Sequence, residues 1–250
     1  MKAHLQTAPL TVAGQLVDAS NMTLLAQAEH ITCIYKPTKG ETPLWDFPQG
    51  TLGKREVAAY ELSTLFPTTL VPLTVWREDG PFGPGMCQLF IEDAQEFGDD
   101  VAVVPVGLIP ENFIEVLKAR DSQGTEVSLV HADHAQLRWL ALFDAVANNA
   151  DRKGGHILRS GSHMWGIDHG VTFHAEPKLR TVLWGWAGTP LRDDEKELLE
   201  SLMSQVDAAL SPWLSTAEVA GVSTRISDLL KAGLMPTPSP SWPSIPWPVF

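Results

Sequence analysis

Residues 144–158 read DAVANNADRKGGHIL, and shortly afterwards residues 165–173 read WGIDHGVTF. In the first stretch an apolar helical pattern breaks into Asn, Asp, Arg, Lys and two glycines. In the second, one aspartate stands inside an apolar, strand-like run. A carboxylate in apolar surroundings is costly unless a positive charge offsets its desolvation. The expectation from these two stretches is that Asp151 and Asp168 face a common cation.

Working outward, DHAQLRWLALFDAVANN has Leu137, Leu140, Ala141, Asp144 and Ala147 on one helical face. HILR and MWGIDHG follow as two short strands with a polar turn between them. DDEKELLESLMSQVDAAL reads as one helix with acids in its first turn and Leu198, Leu199, Leu202, Met203 and Val206 along one side. STAEVAGVSTRISDLLKAG opens with a Ser-x-x-Glu capping box at Ser215 and Glu218 and stops at Gly233. The tail, MPTPSPSWPSIPWPVF, is too rich in proline for a regular helix and is expected along a surface groove.

The N-terminal third reads as strands. TVAGQLVDASNMTLLAQ is two extended runs about a polar turn at Asp18–Asn21, and ITCIYKP is a third strand stopped by Pro37. GETPLWDFPQGTLG is loop. KREVAAYELSTLF has helical spacing, with Val57, Tyr60, Glu61, Thr64 and Leu65 in phase, and ends before Pro67. TLVPLTVWRE and GMCQLFIED flank the turn DGPFGPG as a hairpin. The acidic stretch from Glu92 to Asp100 divides a strand-rich lobe, residues 1–93, from a helical lobe, residues 94–250. The expectation is an α+β, two-lobed plan with a cleft between the lobes.

Across that cleft the polar residues occur in the order Lys36, Glu56, Asp151, Asp168. Phosphoryl transfer needs a cation at the α/β-phosphates of ATP, a metal bridge to neutralise the transferred group, and a carboxylate to orient the attacking hydroxyl. With these residues in view, DAVANNADRKGGH followed by WGIDHGVTF resembles the catalytic and metal-binding loops of type II phosphatidylinositol 4-kinases. The matching positions are Asp144, Asn149, Asp151, Arg152, Ile167, Asp168 and Gly170. YKP around Lys36, REVAAYELSTLF, LVPLT and CQLFIED are similar in order to the N-terminal half of the same kinases. The whole resembles a bacterial family related to phosphatidylinositol 3- and 4-kinases, and more distantly HipA-type protein kinases. The likeness spans roughly residues 12–175.

The resemblance implies a protein-kinase-like fold of the PI3/PI4-kinase type and these roles. Lys36 contacts the ATP α/β-phosphates with Glu56 as its partner, Glu61 being the fallback. Ser20 and Asn21, in a turn without the usual glycines, donate to the phosphates. Ile91–Asp93, with Glu92 and Asp93, forms the adenine-binding hinge. Asp151 is the catalytic aspartate and Asp168 the chief ligand of Mg²⁺ or Mn²⁺. Five residues after the catalytic Asp the kinases place a metal-binding Asn, where this chain has His156. Imidazole suits Mn²⁺ better than Mg²⁺, so either the metal preference is altered, His156 has another role, or turnover is low. Lys153 is placed to neutralise the transferred phosphate.

Bulk properties narrow the partners. The formal net charge is −12 and the sequence pI about 5.0, with no polybasic run, which argues against nucleic acid and an anionic membrane face. Cys33 and Cys87 have no paired metal spacing and read as reduced, buried thiols of a cytoplasmic protein. MKAHLQTAPL lacks the apolar core of a signal peptide, and no apolar run is long enough to span a bilayer. Residues 171–189, where lipid kinases recognise their acceptor, hold few cations. A protein or small soluble acceptor is therefore expected ahead of a lipid. The alternatives are a phosphatidylinositol kinase, a nucleotide-binding pseudokinase and a nucleotidyltransferase.

Overall fold

The computed structural model describes residues 1–16, 21–94 and 100–250. A short helix, α1 (Lys2–Thr7), leads into strands β1 (Leu10–Gln15), β2 (Leu24–Ala28) and β3 (Ile31–Pro37). Helix α2 (Leu52–Ser63) follows, then the hairpin β4 (Thr74–Arg77) and β5 (Gly85–Leu89). These strands make one five-stranded antiparallel sheet in the order β1-β2-β3-β5-β4. Along β3, residues Ile31, Cys33, Tyr35 and Pro37 are buried while Thr32, Ile34 and Lys36 are half-buried. The two-residue period of a strand puts those sets on opposite faces. Leu5 of α1 packs in one cluster with Cys33 and Tyr35, and α2 contacts β4 and β5. The period thus fixes which face Lys36 is on, and α2 supplies what it meets there.

Helix α2 begins where Glu41 accepts hydrogen bonds from the Leu52 and Gly53 N–H groups, at 3.2 and 2.9 Å. This distant carboxylate satisfies orphan donors that a local cap would otherwise take. The helix buries Arg55, Glu56, Val57, Ala58, Ala59, Leu62 and Ser63, so its buried face includes two charges and excludes Tyr60 and Glu61. Ala58, Ala59 and Leu62 belong to the large hydrophobic cluster built mainly by the second half of the chain.

Residues 101–132, assigned above to a helical lobe, form a three-stranded antiparallel sheet instead. Its strands are β6 (Val101–Pro105), β7 (Phe113–Arg120) and β8 (Glu126–Ala132), in the order β6-β8-β7. Val101, Leu129 and Ala132 bury one side of it in the large cluster. Helix α3 (Ala135–Ala147) is buried from Leu137 to Ala147, so no single face distinguishes it. It ends at Asn148 in the left-handed conformation. The hairpin β9 (Ile157–Ser160) and β10 (His163–Gly166) follows as expected.

The run expected as one helix over 193–210 divides into α4 (Asp193–Met203) and α5 (Val206–Leu210), and Met203 is 43% exposed. Helix α6 (Thr216–Ala232) carries the capping box of Ser215 and Glu218 and stops at Gly233 in the left-handed region. The Pro-rich tail turns back onto the protein. Ser244 O accepts from Thr181 N at 3.0 Å, and Val249 O accepts from Gly154 N at 2.8 Å. No helix among the described residues is long and apolar enough to cross a membrane.

Candidate active site

The loop after α3 is built around Asp144, a fully buried carboxylate. Its two oxygens accept a paired set of hydrogen bonds from Arg152 Nε and Nη2, both at 2.9 Å, and Oδ1 also accepts from Asn149 Nδ2 at 2.9 Å. Arg152 donates further, to the carbonyls of His156 and Ile167, both at 3.0 Å. Its guanidinium therefore ties the loop of 149–156 to the segment carrying Asp168. Of the motif's acids it is Asp144, and not Asp151 or Asp168, that is buried against a cation.

Asp151 and Asp168 are in the open. Their side chains are 29% and 49% exposed, which corrects the expectation that both are buried. Asp168 has φ +58°, a left-handed conformation that turns the chain sharply after β10. Its Oδ1 accepts from Lys36 Nζ at 2.7 Å, and Glu56 Oε1 accepts from the same ammonium at 2.7 Å. Glu56 Oε2 accepts from His169 N at 2.9 Å, so one carboxylate joins the strand lysine to the Asp168 loop. Burial works against the Lys36 ammonium, but Asp168 and Glu56 outweigh it and raise the lysine pKa above its usual value. Lys36 in turn holds the Asp168 carboxyl below its ordinary value. Glu61 pairs instead with Lys2 at 3.0 Å, which removes it as the partner of Lys36.

His156 bridges the two acidic loops. Its Nδ1 donates to Asp151 O at 2.9 Å, and its Nε2 lies 3.5 Å from Asp168 Oδ2. Burial lowers the His156 pKa and favours the neutral ring. With the proton on Nδ1, Nε2 presents a lone pair toward a carboxylate oxygen, and two acceptors at that spacing suit a shared cation. Among the described residues no group of three or more His, Cys, Asp or Glu side chains could hold a metal ion. A divalent ion here would have His156 and Asp168 as protein donors and take its remaining oxygens from phosphates and water, as Mg²⁺ commonly does.

Lys153 Nζ lies 3.3 Å from Asp151 Oδ2. Asp151 and Asp168 both line a cavity of about 350 Å³, with Asn21, Trp45, Phe47, Arg180 and Trp242 among its walls. Asn21 is held by Thr42 N, which donates to its Oδ1 at 2.7 Å. Ser20 lies outside the described residues. Glu92 and Asp93 are exposed just past β5, where Glu92 Oε1 accepts from Thr32 Oγ1 at 2.9 Å. They are at the connection between the two halves and not in the cluster around Lys36.

His169 is fully buried, and its pKa is held well below the usual histidine value by burial and by Arg152. Its Nε2 accepts from Arg152 Nη2. It closes the Asp144–Arg152 network, a role that its place beside Asp168 in the sequence does not reveal. Arg180, Lys178 and Trp242 join the site without a signal of their own in the sequence. Lys178 and Arg180 lie in the 171–189 stretch, where the resemblance marks acceptor recognition but no single residue, and Trp242 lies in the Pro-rich tail.

No family model matches the chain. Protein Rv2133c of Mycobacterium tuberculosis (strain ATCC 25618 / H37Rv) is 44% identical over 271 residues, covering 99% of this chain and 95% of its own. Among solved structures, the proinflammatory kinase CtkA of Helicobacter pylori matches with a TM-score of 0.50 at 11% identity, covering 92% of this chain and 94% of that one. The fold is thus kinase-like: a strand-rich sheet region joined to a helical part, with the site described above between them.

Proposed function

The chain belongs to the same family as Rv2133c, and we propose that it is an ATP-dependent kinase of the PI3/PI4-kinase-like kind, transferring the γ-phosphate to a protein or small soluble acceptor. The observation that carries this reading is the convergence of Lys36, Glu56 and Asp168. They come from a strand, a helix and a loop, and meet at 2.7 Å. The kinase-like fold supports it.

In this reading Lys36 supplies the charge for the α/β-phosphates, positioned by Glu56. Asp168 and His156 would hold Mg²⁺ or Mn²⁺, whose charge would neutralise the phosphate oxygens. Asp151, in the wall of the open cavity, orients the acceptor hydroxyl and receives its proton, while Lys153 balances charge beside it. Glu92, Asp93 and the turn with Ser20 and Asn21 are assigned to nucleotide binding on the resemblance. Lys36 and Asp168 now occupy one another, and the cavity beside them measures about 20 Å³, room for about one water. Nucleotide entry therefore parts that pair. The protein is assigned to the cytoplasm, in keeping with its free, buried Cys33 and Cys87.

A thermal-shift series with ATP and Mg²⁺, ATP and Mn²⁺, and ATP alone tests the reading, run beside Asp168→Asn. ATP with metal at ~100 times its dissociation constant should stabilise the wild type by ~2.7 kcal/mol, and the variant much less. No shift in the wild type under any condition would remove the nucleotide-based readings together. A shift without phosphate transfer to any acceptor, even with Mn²⁺, would favour the pseudokinase, for which His156 at the metal position is the motivating observation. Transfer of label from α- but not γ-labelled ATP would favour nucleotidyl transfer.

A further inference from the structure

We infer that Arg180 anchors an anionic group of the acceptor, which makes the acceptor a small, soluble, hydroxylated molecule carrying a carboxylate or phosphate. The inference rests on the kinase reading and adds the substrate class. It starts from a charge balance around the 350 Å³ cavity, whose charged lining residues are Asp46, Asp151, Asp168 and Arg180. Each acid has a cation of its own: Lys178 at 3.0 Å from Asp46, Lys153 at 3.3 Å from Asp151, and Lys36 at 2.7 Å from Asp168. Arg180 has no carboxylate within ion-pair distance among the described residues. Among the described residues its Nη2 makes one long hydrogen bond, 3.4 Å to Ile245 O, and its buried Nε has no partner. A half-buried guanidinium with its donors this little used is suited to an anion from outside the chain.

Its position relative to Asp151 is fixed. Arg180 N donates to Asn149 O at 2.9 Å, and Arg180 O accepts from Arg152 N at 3.0 Å. The backbone of Arg180 is thus bonded to residues on both sides of Asp151, so anchor and proposed base keep their spacing. Aromatic rings also line the cavity. The Lys178 ammonium lies 4.9 Å from the Trp45 ring and 4.4 Å from the Trp242 ring, which joins the loop before α2 to the tail. A cavity of this volume, with aromatic walls and a few converging polar groups, has the character of a small-molecule site.

In the transfer the acceptor hydroxyl oxygen forms a bond to the γ-phosphorus as the bond from that phosphorus to the β–γ bridging oxygen breaks. ADP leaves with the bond's electron pair, and the hydroxyl proton passes to the Asp151 carboxylate. Arg180 takes no part in the bond changes. It holds the far end of the acceptor and so sets which hydroxyl reaches Asp151.

The test measures ADP formation by the full chain from ATP with Mg²⁺ or Mn²⁺. The probes are glycerol 3-phosphate, myo-inositol 1-phosphate, shikimate, uncharged glycerol and myo-inositol, phosphatidylinositol vesicles, and casein. At least one soluble anion should raise ADP formation about tenfold over water alone, while its uncharged counterpart does not. Arg180→Met should raise KM for that anion by about tenfold or more and leave KM for ATP nearly unchanged, with Arg180→Lys between the two. An unchanged ATP thermal shift in both variants shows that they are folded. Equal use of uncharged probes, stimulation by vesicles or casein alone, or an unchanged anion KM in Arg180→Met would each overturn the inference. An ATP shift with no response to any soluble anion overturns it alone. Loss of the ATP shift in the wild type overturns the kinase reading and the inference with it.

Discussion

Asp151 and Arg152 are neighbours in the chain and belong to two different ionic networks. Arg152, Asp144, Asn149 and His169 form a closed set, each at most 1% exposed and hydrogen-bonded within the protein. Asp151, Lys153, Lys36, His156 and Asp168 form an open set, reaching 49% exposure at Asp168. The closed set directs its hydrogen bonds to holding two loops together, with His169 Nδ1 its one buried polar side-chain atom left without a partner among the described residues. The open set keeps lone pairs toward a cavity. Consecutive residues thus divide the labour, one fixing the loop and the other left available for chemistry, because a carboxylate whose oxygens are all engaged cannot accept a substrate proton.

Removing a member of the closed set should have the largest effect on folding. Arg152→Ala leaves Asp144 buried without its cation and is expected to cost about 3–5 kcal/mol in a denaturant titration. A loss under about 1 kcal/mol would dissolve the distinction between the sets. Asp151→Asn, one residue away, should do the reverse. It should lower phosphate transfer by about 10²–10⁴ while the midpoint of thermal unfolding stays close to that of the wild type. A large drop in that midpoint would move Asp151 into the scaffold.

Lys36→Met should weaken ATP binding by roughly 10- to 100-fold, the range expected for lost charge-assisted hydrogen bonds, as read by calorimetric titration.

Histidines of both sets should make stability fall in acid, since His156, like His169, is held below its usual pKa by burial. His169 is neutral and its folded pKa lies well below the 6.5 of the unfolded chain. As pH falls below 6.5 the unfolded chain takes up this proton first, so stability declines by up to ~1.4 kcal/mol per pH unit for such a group until the folded pKa is reached. His131, fully buried with Nδ1 donating to Ala132 O and Nε2 accepting from Gly185 N, shifts in the same direction because of burial. Asp168 behaves differently, since its depressed pKa makes its contribution fully present above 3.8 and lost only in stronger acid. Unfolding free energies measured from pH 7 to pH 5 should therefore fall in the wild type and fall less steeply in His169→Gln. Equal slopes would argue against a neutral His169. The smallest effect belongs to Lys153→Ala, where a partly exposed pair is worth about 0.5 kcal/mol or less, with any change confined to the kinetics of transfer.

Much of the fold was legible where the signal is local. The strand ending at Pro37, the hairpin about DGPFGPG and the Ser215–Glu218 cap all depend on residues within a turn or a strand of one another. The sheet over residues 101–132 was not legible in that way. Its strands pair β6-β8-β7 and become stable by laying Val101, Leu129 and Ala132 on the helical cluster, which no local pattern announces. The break between α4 and α5 and the exposure of Met203 also depend on what packs beside them.

For the site, the letters alone determined which residue types recur in order, and strand periodicity determined that Lys36 leaves β3 on the face away from Tyr35. Tertiary structure alone decided that Glu56 and not Glu61 meets Lys36, that Asp144 is the buried acid while Asp168 stays open, and that Arg180 stands beside Asp151. Period and capping are short-range consequences of backbone geometry. Burial and charge partnership depend on which distant segments share a space, and the sterics of a few neighbouring residues do not carry that information.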